Sequence, residues 1–68
     1  MRYAIVIEGS PGSYSAYAPD LPGCISVGET HDDVVRAMEE AIRFHLDGLH
    51  EDGLPIPEPT SLVEYIEL

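Results

Sequence analysis

Sixty-eight residues make room for one domain, residues 1–68, and no more. Three arginines and no lysine stand against thirteen acidic residues, a formal net charge of −10; phosphate contact needs cations, so this balance argues against naked DNA or RNA and an anionic membrane surface as partners, and favours a basic protein. A chain of this size buries only ~60% of the surface it exposes when unfolded, and one cysteine offers no intramolecular disulfide, so self-association into a dimer or tetramer is the expected support.

The first predicted element is a strand over Arg2–Glu8, built on the apolar run Ala4-Ile5-Val6-Ile7. That run is far too short to cross a bilayer. No signal-peptide pattern surrounds it, and a lone cysteine without an export signal reads as a protein of the reducing cytoplasm. Gly9-Ser10-Pro11-Gly12 is a turn. Ser13–Ala18 is the second strand, with Tyr14, Ala16 and Ala18 on one side and Ser13, Ser15 and Tyr17 on the other, and the two strands form a hairpin. Pro19-Asp20-Leu21-Pro22-Gly23 ends it, because two prolines remove two ladder donors. Cys24–Val27 is a short third strand closed by Gly28.

Thr30 is the expected N-cap of a helix, with Asp33 three residues on in a variant of the capping box and Asp32 and Asp33 at the positive end of the dipole. Val34, Met38, Ala41, Ile42, His45 and Leu49 fall on one face, flanked by Val35 and Leu46. Arg36, Glu39, Glu40, Arg43 and Asp47 lie opposite, and Asp32/Arg36, Glu39/Arg43 and Arg43/Asp47 are spaced to interact. Gly48 weakens the end and Gly53 stops the helix; Pro55, Pro57 and Pro59 then enforce an extended connector. Ser61–Glu67 reads as a fourth strand.

The result is an α+β chain of order β-β-β-α-β. The helix serves as a right-handed crossover that lays the last strand parallel to the first, giving a four-stranded mixed sheet of order 3-2-1-4 with one helix on one face. The other sheet face is left for a second copy or a partner.

Little in this sequence points to catalysis. His45 and His50 are five apart, about 140° around a helix, and His45 sits in the apolar stripe, so neither they nor His31 form a metal site. Cys24 has no neighbouring base and reads as a small buried side chain. Asp33, Glu40, Asp47 and Glu51 share one helix flank, which is a solvated face or a docking surface for a basic partner; a metal-dependent nuclease needs carboxylates converging from different elements. The glycines follow no phosphate-loop pattern. Tyr3, Tyr14, Tyr17 and Tyr65 are either interface anchors or ordinary strand packing.

Four pieces stand in order over nearly the whole chain: Asp20-Leu21-Pro22-Gly23-Cys24, Gly28-Glu29-Thr30, Ala37-x-x-Glu40-Ala41, and Glu51-Asp52-Gly53-x-Pro55-Ile56-Pro57-Glu58-Pro59. As an ordered set they resemble the HicB antitoxin family. The resemblance implies a partly eroded RNase H-like fold and binding to a small basic HicA toxin that cleaves RNA, neutralised by occlusion of its active site. It brings no catalytic residues: Asp20 and Glu29 lie near strand ends, but the RNase H-type carboxylate set is not recognisable. Many members carry a further C-terminal DNA-binding module, helix-turn-helix or ribbon-helix-helix. The expectation here is a short form with the N-terminal HicB-like domain only, or an orphan oligomeric module with no toxin partner. Asp20, Glu29, Asp33, Glu40 and Asp47 are the candidate contacts with a basic partner; no catalytic residue, metal ligand or cofactor is expected.

Overall fold

A computed structural model describes all 68 residues. It contains strands β1 (Val6–Ser10), β2 (Ser13–Tyr17) and β3 (Ile25–Gly28), followed by one helix, α1 (His31–Glu51). The sheet is antiparallel throughout and its order is β1-β2-β3. Ser10 faces Ser13 across the hairpin, which leaves Pro11 and Gly12 alone as the turn, two residues fewer than the sequence suggests.

Each strand differs a little from expectation, for one reason: a strand lasts only as long as its partner. Val6 pairs with Tyr17, the last residue of β2. Ala18 faces β3, donating its N–H to the Cys24 carbonyl at 3.1 Å, and the next residue, Pro19, has no N–H to offer β1, so Arg2–Ile5 run on without a neighbour on that side. The loop between β2 and β3 is itself tightly bonded, with Leu21 N–H donating to the Ala18 carbonyl and Cys24 N–H to the Leu21 carbonyl. It drops Leu21 into the core with no exposure at all.

On the second strand the inward residues are those the alternation indicates. Ala16 and Ala18 from the sheet, Leu21 and Cys24 from the loop, and Val34 and Met38 from α1 form the buried cluster, with Tyr3, Ile5, Ile7, Tyr14, Ala41, Ile42 and Leu46 packed around it. The helix approaches the end of β3 very closely: a Cβ built on Gly28 would lie 2.6 Å from the Val34 nitrogen, so glycine is the residue that fits there. The Ser26 hydroxyl adds a hydrogen bond to the Ala37 carbonyl, 3.3 Å.

Both helix ends are capped. The Asp33 N–H donates to the Thr30 hydroxyl oxygen at 3.0 Å, as the N-cap reading requires. At the other end the helix runs through Gly48 to Glu51, with Asp52 as C-cap and Gly53 in the left-handed region at φ 67°. Gly53 N–H donates to the His50 carbonyl and Leu54 N–H to the Leu49 carbonyl, the paired bonds of a Schellman motif.

The fourth strand is not found. The sheet has three strands and the order is β-β-β-α, so the expected four-stranded mixed sheet of order 3-2-1-4 is corrected. Ser61–Glu67 is rich in strand-forming residues, but a strand exists only when its donors and acceptors meet a neighbouring edge. Prolines 55, 57 and 59 remove three donors from the approach. The Thr60–Ser61 step is then held by the Asp20 side chain rather than by β1.

Candidate partner-binding surface

Positions seven apart on a helix drift by only about 20° per repeat. Asp33, Glu40 and Asp47 therefore form one line, about 21 Å long at the helical rise, and Glu51 extends it. All four side chains are exposed. None of them forms an ion pair: the one arginine bridge is Arg43 to Glu39, 3.1 Å, while Asp32 faces His31 at 3.6 Å rather than Arg36, and Arg43 does not reach Asp47. The flank is a strip of uncompensated negative charge.

Phe44 lies in the middle of that strip, four residues after Glu40 and three before Asp47, and is 82% exposed. A large apolar ring so exposed gains nothing for the isolated chain, whereas aromatic side chains surrounded by polar groups are the usual anchors of protein interfaces. Sequence reasoning passed over Phe44. The signal was available, because position 44 falls on the polar side of the stripe that Val34, Met38 and Leu49 define.

The other two candidate residues lie elsewhere. Glu29 is exposed just before α1, and its carbonyl accepts from the Gly12 N–H at 2.7 Å, which ties the hairpin turn to the helix entry. Asp20 is half-buried and its carboxylate is occupied. It accepts from the Ser61 N–H (3.0 Å), the Ser61 hydroxyl (2.8 Å) and the Thr60 hydroxyl (3.2 Å). These bonds, the Ser61 backbone bond first, hold its pKa below the ordinary carboxylate range. Asp20 is a clamp on the C-terminal connector, a role the sequence did not reveal.

Tyr3 supplies a second clamp, donating from its hydroxyl to the Pro57 carbonyl. Desolvation, then the charges of Glu58 and Asp20, push its pKa up. Tyr14 packs inward, whereas Tyr17 and Tyr65 are exposed. Burial raises the Cys24 thiol pKa, which disfavours the reactive thiolate. His45 is half-buried on the apolar face, and no three His, Cys, Asp or Glu side chains are grouped to hold a metal ion. No helix is long and apolar enough to cross a membrane.

Residues 3–67 match the model of the HicB-like antitoxin family of bacterial toxin-antitoxin systems. The chain belongs to that family. It is 38% identical over 66 residues to a protein of the rep–hol intergenic region of Haemophilus phage HP1, covering 97% of this chain and 50% of that one. A UPF0150 protein of Helicobacter pylori is 34% identical over 64 residues, covering 93% and 89%. Antitoxin HicB 2 of Photorhabdus laumondii is 26% identical over 61 residues, covering 90% of this chain and 44% of its own. This HicB-like chain thus spans about half the length of the phage relative and most of the UPF0150 protein. Among solved structures it is similar to a chain of a HicA3 and HicB3 toxin-antitoxin complex, with a TM-score of 0.74 and 34% identity, over 87% of this chain and 69% of the other.

Proposed function

We propose that this chain is a non-catalytic antitoxin domain that binds a small basic HicA-type toxin in the cytoplasm and blocks RNA cleavage by covering the toxin's active site. The observation that carries the reading is the likeness to a chain of a HicA3–HicB3 complex at 34% identity. The charge supports it: at −10, the chain would steer a basic partner towards itself and repel nucleic acid. Glu29, Asp33, Glu40 and Asp47 supply the negative surface in this reading, Phe44 the apolar anchor between them, and Asp20 acts through the connector it holds.

The test is to mix the purified chain with a HicA-type toxin and follow both association rate and RNA cleavage. The expected outcome is a stoichiometric complex that protects RNA and weakens as salt is raised. Reversing two charges, Glu40→Lys with Asp47→Lys, should slow association by about tenfold at low salt and flatten its salt dependence. Phe44→Ala should speed dissociation instead, since its effect is on packing. A complex unmoved by all three changes places the contact elsewhere. No complex at low salt overturns the toxin reading and leaves an orphan binding module.

A further inference from the structure

The two outer strands of the sheet are finished differently. Next to β1, the C-terminal connector returns past Arg2, Tyr3 and Ala4 and forms a hollow with them. β3 has no strand neighbour on its outer side. In an antiparallel pair the bonded positions alternate. Ala18 donates to the Cys24 carbonyl and Ala16 stands opposite Ser26, so Ser26 and Gly28 turn their backbone groups to β2. Ile25 and Val27 then present N–H and C=O outwards, and no turn, loop or cap bond takes these groups up. Their side chains are bare as well, 70% and 74% exposed. Sheet edges are ordinarily blunted by lysine, proline or a bulge. Ile25-Ser26-Val27-Gly28 has none of these.

The acidic flank of α1 lies over this same edge. The helix runs antiparallel to β3, with Val34 against Gly28 and the Ala37 carbonyl bonded to Ser26. Val35, Met38, Ile42 and Leu46 turn the other way, into the groove beside Tyr3 and Ile5. At about 100° per residue, Asp33, Glu40, Phe44 and Asp47 fall on the β3 side. Asp33 flanks the end of the strand, and Glu40 and Phe44 flank its start. Glu29, exposed directly after β3, adds to the charge. Arg36 borders the flank in no ion pair, while Arg2 and Arg43, the other two cations, line the hollows on the β1 side.

We propose, on the toxin reading above, that the partner binds by strand addition: a basic strand of the toxin pairs with the outer edge of β3 beneath the acidic flank of α1. An added strand lies about 4.8 Å beyond β3, with its side chains alternating between two faces. One face packs apolar groups beside Ile25 and Val27. The other turns Lys or Arg towards Asp33 and Glu40, with a cation on the Phe44 ring. Main-chain bonds supply the affinity and the alternate side chains the specificity, as in other cases of strand addition. A second copy of this chain is a poor occupant, because pairing β3 with β3 brings two acidic flanks together.

The test is hydrogen exchange of the isotope-labelled chain, alone and with a purified HicA-type toxin. In the free chain the Ile25 and Val27 amides should exchange freely; in the complex they should be protected, while the Ile5 and Ile7 amides should not change. Val27→Pro removes an outward N–H without touching the ladder to β2, and should weaken the complex by about tenfold. Val27→Thr keeps that N–H and should bind almost as the parent does. If Val27→Pro fails to fold, exchange in the unaltered chain still decides. No complex at all overturns the toxin reading and strand addition together. A complex in which the Ile25 and Val27 amides still exchange freely overturns strand addition alone, as do equal losses from Val27→Pro and Val27→Thr. Protection already present in the free chain and rising with its concentration gives the edge to a second copy and overturns it too.

Discussion

The stretch from Val6 to Leu54 and the stretch from Pro55 to Leu68 differ little in composition. Six of the last fourteen residues are apolar, about the 44% share of the whole chain. Yet every backbone–backbone hydrogen bond falls in the first stretch and every one of the six buried side chains does too. What separates them is not hydrophobicity but access to partners. In the first stretch each element meets its neighbour within a few residues: a two-residue turn, a seven-residue loop braced by its own hydrogen bonds, a two-residue step into the helix. The second stretch must return across the molecule behind three prolines, and it is held by only Tyr3 on Pro57 and Asp20 on Thr60 and Ser61. Apolar content specifies that a segment should be covered; connectivity and donors decide by what.

The sharpest way to break this comparison is at Leu21. It is fully buried between sheet and helix, so Leu21→Ala should cost about 2–5 kcal/mol. That is a large part of the roughly 3–10 kcal/mol available to a chain of this length. Thermal unfolding followed by circular dichroism should show a steep loss of stability. A melting curve unmoved by Leu21→Ala would mean that the first stretch is not held by its core. A smaller effect sharpens the same contrast at the helix entry. Thr30→Ala removes the acceptor for the Asp33 N–H and should cost about 1 kcal/mol, whereas Thr30→Gly should cost only a few tenths. Equal losses for the two would show that the cap bond is not what matters.

The parts that were legible in the sequence are those whose cause is local. Alternation placed Tyr14, Ala16 and Ala18 inward, the Thr30 cap marked the helix start, and the 3.6 spacing of Val34, Met38 and Ala41 picked its buried face. Leu21 was missed as a core residue because it stands alone between two prolines, where no period points to it. Asp20 was nominated for its charge, but what its carboxylate holds lies forty residues away, a distance no window covers. The expected fourth strand failed for a related reason. Strand propensity in Leu62–Ile66 is a property of the segment, whereas a strand is a property of a pair. Phe44 is legible in the sequence, as an aromatic ring on the polar side of the helical stripe, among the charges that surround it.

The gentlest probe acts on the clamp itself. Asp20 is held below the ordinary carboxylate range by the Ser61 N–H first, then by the Ser61 and Thr60 hydroxyls. Because its folded pKa is depressed, the clamp contributes fully above the unfolded value and is lost as pH falls through the folded one. An NMR titration should therefore show the Ser61 amide moving with the Asp20 carboxyl at a midpoint below the ordinary 3.8. Hydrogen-exchange protection of the core amides should persist over that step, since Leu21, Val34 and Met38 carry no titrating group. A midpoint at or above 3.8 would mean that the carboxylate is free and the connector is not held there. A matching low midpoint with a still body would show that acid can release the hinge of the C-terminal segment without melting the fold.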